Sequence, residues 1–399
     1  MTRTRTRTYF TVSAAALVAL TLTASPVLAK SPPKPGPASA VLFWSQAQKE
    51  SGFQAMEDYF AVHTAKRGKQ VHPLPQGKPL DFTIDLGPGP ISLDAYMAQE
   101  KTAGLLVLQD GKVRLEKYTL GYGPDRRWTT FSVAKSVTST LVGAAVKDGY
   151  IKSVDDPVVR YIPGLKGSAY DKVSIRQVLT MTSGVKWNED YTDPKSDVAQ
   201  LFTATPDPGV DATVSYMRKL PQEAAPGTKW VYKTGETNLI GVLVTSATHK
   251  SLARYMSEKI WQPYGMEKDA VWMIDDRGQE AGGCCLSMTL RDYGRLGEFM
   301  RGGAMAGGRP VLPKGWIEIA TTKQADTGEP GHGYGYQWWT NDDGTYDGFG
   351  IFGQRLHIDA ARKLVIVISS AWPEATSRVR GATREKLIMA VVAAVDAGR

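Results

Sequence analysis

The chain has 399 residues, of which 42% are hydrophobic and 22% charged, with a formal net charge of +8. That length can bury a sizeable core and suggests two lobes of an ordinary globular protein. Setting aside Arg3, Arg5 and Arg7 of the N-terminal leader leaves +5 and no long basic run, so nothing points to a nucleic-acid partner.

The leader reads as a secretory signal. Its three arginines precede an apolar segment over 12–24, then Ser25-Pro26 and Val27-Leu28-Ala29, whose small residues fit cleavage before Lys30. The segment is shorter than the roughly 20 residues that span a bilayer, and no cysteine follows the site to carry a lipid. The expectation is export to the periplasm or the medium, without a stable membrane anchor. Residues 30–38 are Pro-rich and read as a flexible lead-in.

Phe53, Met56, Tyr59 and Phe60 recur at helical spacing and predict a helix over 53–62. Leu105-Leu106-Val107-Leu108-Gln109 and Lys112-Val113-Arg114-Leu115-Glu116, joined through Asp110-Gly111, predict a β-hairpin. It leads to Phe131-Ser132-Val133-Ala134-Lys135, which opens a nearly all-apolar helical run ending at Asp148-Gly149. Ser132 and Lys135 at this spacing share a helix face, about 5–6 Å apart at Cβ. A serine needs a base to become a nucleophile, and a lysine can be that base if burial keeps it neutral. Ser-x-x-Lys also occurs at Ser31/Lys34 and Ser183/Lys186, but Pro32-Pro33 follows the first and Gly184 makes the second a turn. A structural pair at the wet end of a core helix is the competing reading for Ser132.

Residues 154–286 turn helical, with long polar connections. Ser174 can cap a short helix through Leu179, and Thr237 another through Val244. Just before the latter, Tyr232 ends a short extended stretch. It could pass a proton to a leaving group if nearby cations lowered its pKa, or be a packed loop residue. Adjacent Cys284 and Cys285 form no long-range disulfide framework and read as two small buried residues rather than a vicinal disulfide. The five histidines lack metal-ligand spacing, so no metal or other cofactor is expected.

Thr289-Leu290-Arg291-Asp292 starts a helix reaching Met300. Gln354-Arg355-Leu356-His357-Ile358 and Leu364-Val365-Ile366-Val367-Ile368 are strands, and 383–395 is a final helix. With strands from both ends of the chain and helices between, the expected fold is α+β: an antiparallel sheet flanked by helices, built from both termini, with an inserted mainly helical lobe. The predicted parts are a leader at 1–29, an α/β domain from 30–153 and 287–399, and a helical domain at 154–286. A ligand belongs in the cleft between the lobes.

Ser132-Val133-Ala134-Lys135, Tyr232 in Pro226-Gly227-Thr228-Lys229-Trp230-Val231-Tyr232, and the late Gly348-Phe349-Gly350-Ile351-Phe352-Gly353-Gln354 segment resemble the penicillin-recognising serine hydrolases. The resemblance runs from Phe43-Trp44 through Ile368 and is nearest to the 6-aminohexanoate-dimer hydrolase type, relatives of class C β-lactamases and family VIII esterases. It implies catalytic Ser132, Lys135 and Tyr232, and an oxyanion hole from the N–H groups of Ser132 and Ile351. It also implies close backbone approach to substrate at Gly350, and a Tyr191, in Trp187-Asn188-Glu189-Asp190-Tyr191, that bonds a substrate amide; a tucked-in loop tyrosine is the alternative there. The implied partner is a small ester or linear amide. Lys233-Thr234-Gly235 spells the family's strand triplet but directly follows Tyr232; the matching place is Gly348-Phe349-Gly350, which lacks the lysine. That departure argues against efficient β-lactam turnover. The aromatics of Gly333-Tyr334-Gly335-Tyr336-Gln337-Trp338-Trp339 read as packing beneath the sheet, with acyl-pocket lining as the alternative. His332 reads as a loop residue without a partner.

Overall fold

The computed structural model describes Thr2, residues 38–87 and residues 89–398. The predicted leader, Thr2 apart, and most of the Pro-rich lead-in lie outside the described residues.

Asp110 and Gly111 adopt φ of 50° and 73°, the left-handed pair that a two-residue hairpin turn requires. They join strands Thr102–Gln109 and Lys112–Tyr118, as the alternation predicts. On its other edge Thr102–Gln109 pairs with Leu364–Ser370, antiparallel, so the two ends of the chain share one sheet. The remaining strands follow outward as Arg355–Asp359, Tyr346–Phe349, Trp339–Asn341, His332–Tyr334 and Ala325–Asp326, completing an eight-stranded antiparallel sheet.

Period-two alternation divides the core between the faces of this sheet. Leu105, Val107, Ile366 and Ile368 pack against Leu387, Ile388 and Val391 of the terminal helix Arg378–Asp396. Leu106, Leu108, Leu356 and Val367 face the other way, into a cluster with Tyr293, Leu296 and Phe299 of helix Leu290–Arg301. Each Leu, Ile or Val so buried contributes about 1.5–3 kcal/mol relative to remaining exposed. The two faces thus hold the sheet between helical layers, as the α+β reading requires. Thr289 caps Leu290–Arg301 by accepting from the Asp292 N–H, and Ser174 caps Ile175–Leu179.

Three local expectations are corrected. No helix spans 53–62. Instead Ser45 and Gln48 form a capping box that starts helix Gln46–Gly52, and a single turn at Met56–Asp58 precedes strand Val62–Ala65. The apolar spacing there serves an aromatic cluster, with Trp44 4.9 Å from Tyr59 and 6.0 Å from both Phe53 and Phe60 between ring centres. The helix expected from Thr237 begins at Thr234 and runs to Thr248; Thr237 lies within it and donates to Gln337 Oε1 at 2.6 Å. The stretch read as helical also contributes Ala270–Met273 to a second sheet, with Val62–Ala65, Leu286–Met288 and Trp128–Thr129. Among the described residues no helix is long and apolar enough to cross a membrane.

Candidate active site

The second sheet delivers the chain to Ser132. Trp128–Thr129 pairs with Leu286–Met288, and the Thr130 N–H donates to the Leu286 carbonyl at 2.9 Å. The backbone then turns sharply, with Phe131 at φ 46°. A bulky residue in that region costs about 1–3 kcal/mol. Packing holds it, since the Phe131 ring lies 4.9 Å from Phe53 and 5.0 Å from Phe352. Ser132 follows in a short turn that becomes helix Ala134–Lys147, buried along nearly its whole length.

One turn into this run, Lys135 is fully buried. Its Nζ lies 3.3 Å from Ser132 Oγ, 2.9 Å from Thr234 Oγ1 and 2.7 Å from the Gly283 carbonyl oxygen. Burial lowers its pKa to about 8, against a partly opposing pull from the Glu189 carboxylate. A lysine so poised is neutral in roughly a tenth of molecules at pH 7 and half at pH 8.

Tyr232 meets the same serine. Its hydroxyl is hydrogen-bonded with Ser132, and Lys135 Nζ stands 5.2 Å from its ring centre. The sequence reading asked for cations to lower this pKa; the structure reverses that. Burial and the Glu189 charge push the phenol well above its usual range, with the Ser132 bond pulling back in part. Tyr232 therefore remains an intact proton donor across the neutral range.

Glu189 is the residue that sequence reasoning missed as a participant. Its carboxylate accepts from the Thr234 N–H at 2.9 Å, from the Tyr191 hydroxyl at 2.6 Å, and from Thr234 Oγ1 and Trp187 Nε1. It thus caps the helix that follows Tyr232 and, through Thr234, reaches Lys135. Nothing in a polar loop sequence distinguishes this carboxylate from Asp190 or Asp193. Tyr191 lines the cavity beside Ser132, with its hydroxyl directed to Glu189 rather than left free.

Ile351 follows strand Tyr346–Phe349 and shares that cavity with Ser132. Among the described residues its N–H has no acceptor, which leaves it available to a carbonyl oxygen. Gly350 lies at a close crossing: a Cβ there would stand 2.7 Å from the Thr130 carbonyl and 2.5 Å from Gln354 Oε1. Its backbone thus backs onto the chain just before Ser132. A Cβ at Gly348 would stand 2.9 Å from Val133 Cγ1, so the space beside this glycine is occupied by the residue that follows Ser132.

The cavity is narrow, about 40 Å³, and is walled by Leu42, Val198, Phe202 and Met273, with Cys284 and Cys285 at one side. The two cysteines are disulfide-bonded, against the reading of two small buried residues, and Cys285 takes φ 65°. The aromatic run packs rather than lining this cavity: Tyr334 and Trp339 cluster with Trp230 and Tyr232, while Tyr336 and Trp338 enter the main core. His332 lies in a strand, not a loop, and has a partner in Asn341, its Nδ1 2.7 Å from Oδ1.

Residues 92–390 match the Beta-lactamase family, and the chain belongs to it. A 6-aminohexanoate-dimer hydrolase of Paenarthrobacter ureafaciens is 31% identical over 321 residues, covering 76% of this chain and 81% of that protein. A solved Bacillus anthracis structure, provisionally assigned as a 6-aminohexanoate-dimer hydrolase, superposes with a TM-score of 0.77 at 24% identity, over 86% of this chain and 93% of its own. A class C β-lactamase shares the fold at 14% identity, with a TM-score of 0.56 over 75% of this chain and 94% of its own. The protein is a serine hydrolase of the amidase and esterase kind, similar to the 6-aminohexanoate-dimer hydrolases.

Proposed function

We propose that the protein hydrolyses a small ester or linear amide through an acyl-enzyme on Ser132. The observation that carries this is the buried Lys135 Nζ, 3.3 Å from Ser132 Oγ with a pKa brought down to about 8. Neutral Lys135 takes the serine proton as Oγ attacks the carbonyl, and the oxyanion is received by the N–H groups of Ser132 and Ile351. Tyr232 donates its proton to the departing nitrogen or oxygen, and Lys135 returns one to it. Water then repeats the sequence in reverse to release the acid. No step calls on a metal or organic cofactor.

The cavity walls favour an uncharged, slender acyl group, since none of the residues lining it carries a charge. The Paenarthrobacter relative's name is that of a linear-amide hydrolase, which supports the amide side of the reading. A DD-peptidase or β-lactamase would use the same serine, but Gly348 leaves no space for the carboxylate-binding lysine. A non-catalytic binding protein on this fold has no need of a buried, depressed lysine against a serine. Export through the leader is part of the proposal, and a mature N-terminus other than Lys30 on secreted protein would overturn the cleavage assignment. Labelling by a fluorophosphonate and turnover of p-nitrophenyl esters, linear amides and nitrocefin test the chemistry. Both labelling and ester turnover persisting in Ser132→Ala would sink it.

A further inference from the structure

The terminal helix Arg378–Asp396 covers only part of one face of the eight-stranded sheet. Between it and the outer strands runs a groove of about 1060 Å³, with Trp230, Trp339, Phe349 and Arg384 among its walls. This groove is separate from the cavity at Ser132. Successive strand residues face opposite ways: Gly348 backs onto Val133 and Ser136 beside the nucleophile, so Phe349 turns to the far side of the sheet.

Arg384 is 8% exposed, with its guanidinium carbon 4.8 Å from the Phe349 ring centre and 5.1 Å from that of Trp372. Its neighbour Arg355 is fully engaged, donating from Nε to Asp347 at 2.8 Å and from Nη1 to Glu385. His357 Nδ1 is also 2.8 Å from Asp347. Arg384 has no hydrogen-bond partner among the described residues, and its Nε is sealed from solvent. The nearest carboxylate, Glu385, stands 3.9 Å away and is already held by Arg355. Burial and the Arg355 charge bring Arg384 down to about 10. Trp230, which also lines the groove, has a second sealed donor without a partner in its Nε1. Buried donors are ordinarily satisfied, and a charged one left unpaired is costly. What Arg384 and Trp230 lack is an acceptor of their own, although Glu329, Asp342, Asp343, Asp359, Glu385 and Asp396 also line the groove. Beyond Glu385 its helix side carries the apolar Ile388, Met389, Val392 and Ala393 before Asp396, and Met389 is 69% exposed.

We propose that this groove binds a small carboxylate with an apolar tail, its head on Arg384 and its chain along Ile388, Met389 and Val392. Four arginines (Arg355, Arg362, Arg378 and Arg384) face these six carboxylates around the groove, so the ligand gains by pairing with Arg384 and by burying its tail, against a net negative lining. That places its dissociation constant in the millimolar range. Hexanoate, with hexylamine as the control of equal chain length, is titrated into the full mature chain by calorimetry and by the fluorescence of Trp230 and Trp339. Wild type is expected to bind hexanoate saturably and hexylamine at least tenfold more weakly. Arg384→Met keeps the apolar stem and is expected to weaken hexanoate at least tenfold, with p-nitrophenyl acetate turnover retained and Tm no lower than wild type. Trp230→Phe is expected to weaken it a few-fold. No saturable binding to wild type, equal affinity in Arg384→Met, equal binding of hexylamine, or a lowered Tm in Arg384→Met would each overturn the proposal; the last would make the guanidinium a structural element.

Discussion

In the proposed mechanism Lys135 concentrates the chemistry, because its two protonation states lie close in energy. The reactive state is the neutral one, so kcat/KM should rise about tenfold per pH unit below 8 and level off above it. Tyr232 is raised well above its usual range, so no descending limb should come from it below pH 10. A bell with a descending arm near pH 9 would contradict that assignment. Glu189 sharpens the test. Its charge raises Lys135, so Glu189→Gln should move the ascending limb to lower pH. The same substitution disturbs the bonds to Thr234, Tyr191 and Trp187, and the plateau rate should fall by about 10- to 100-fold. A merely structural carboxylate would lower the plateau without moving the limb. The sign for stability is the same: between about 8 and 10.5 the unfolded chain holds the Lys135 proton and the folded one does not, so this group's contribution rises with pH across that window. Denaturation midpoints of wild type and Lys135→Met, compared from pH 7 to 10, should diverge in favour of wild type. The pair Ser132 and Lys135 was legible in the sequence because they stand three residues apart where a single turn runs on into a helix. Glu189 was not, because its partners are distant in the chain and a loop carries no periodicity to mark it.

At the scale of elements, the site depends on two chain crossings that admit no side chain. Gly350 backs onto the Thr130 carbonyl, and Gly348 onto Val133. Gly350→Ala would push apart the segments carrying Ile351 and Ser132, lowering kcat by about 10²-fold or more, the usual loss when one oxyanion donor is displaced, with far-ultraviolet circular dichroism unchanged. Gly348→Lys restores the family's residue in name only. Its Cβ would meet the nucleophile helix, so it should lose ester turnover without gaining nitrocefin hydrolysis; a gain would mean that the helix yields. The hairpin at Asp110-Gly111 and the capped helix at Thr289 were readable because their signals are local: a turn pair and a cap. The helix at 234–248 was misplaced by three residues because its first N–H is capped by Glu189 from another segment. The 53–62 periodicity misled because aromatic side chains clustered around Trp44 can share helical spacing without forming a helix.

At the scale of the molecule, the pairing of Thr102–Gln109 with Leu364–Ser370 decides how the protein comes apart. Helix Ala134–Lys147, the 154–286 segment and strand Tyr346–Phe349 all lie in sequence between these partners, so the candidate site is assembled only when the two ends of the chain have met. Such non-local pairing predicts slow folding. It was legible only in outline: alternation identified strands at both ends, but register and order depend on which faces the helices cover. The terminal helix is the test. It buries Leu105, Val107, Ile366 and Ile368, at about 1.5–3 kcal/mol for each side chain, and their sum is comparable to the 5–15 kcal/mol that separates most folded domains from unfolding. A chain ending at Ser377 should therefore lose more than its helix: p-nitrophenyl ester turnover should disappear, although every residue assigned to catalysis is still present, and the soluble fraction should show no cooperative thermal transition. If the helix were an appendage on an independently stable core, the truncated chain would retain fluorophosphonate labelling at Ser132 and a transition within a few degrees of wild type. Loss of both is expected, because the strands that the helix covers hold together the two halves of the sheet.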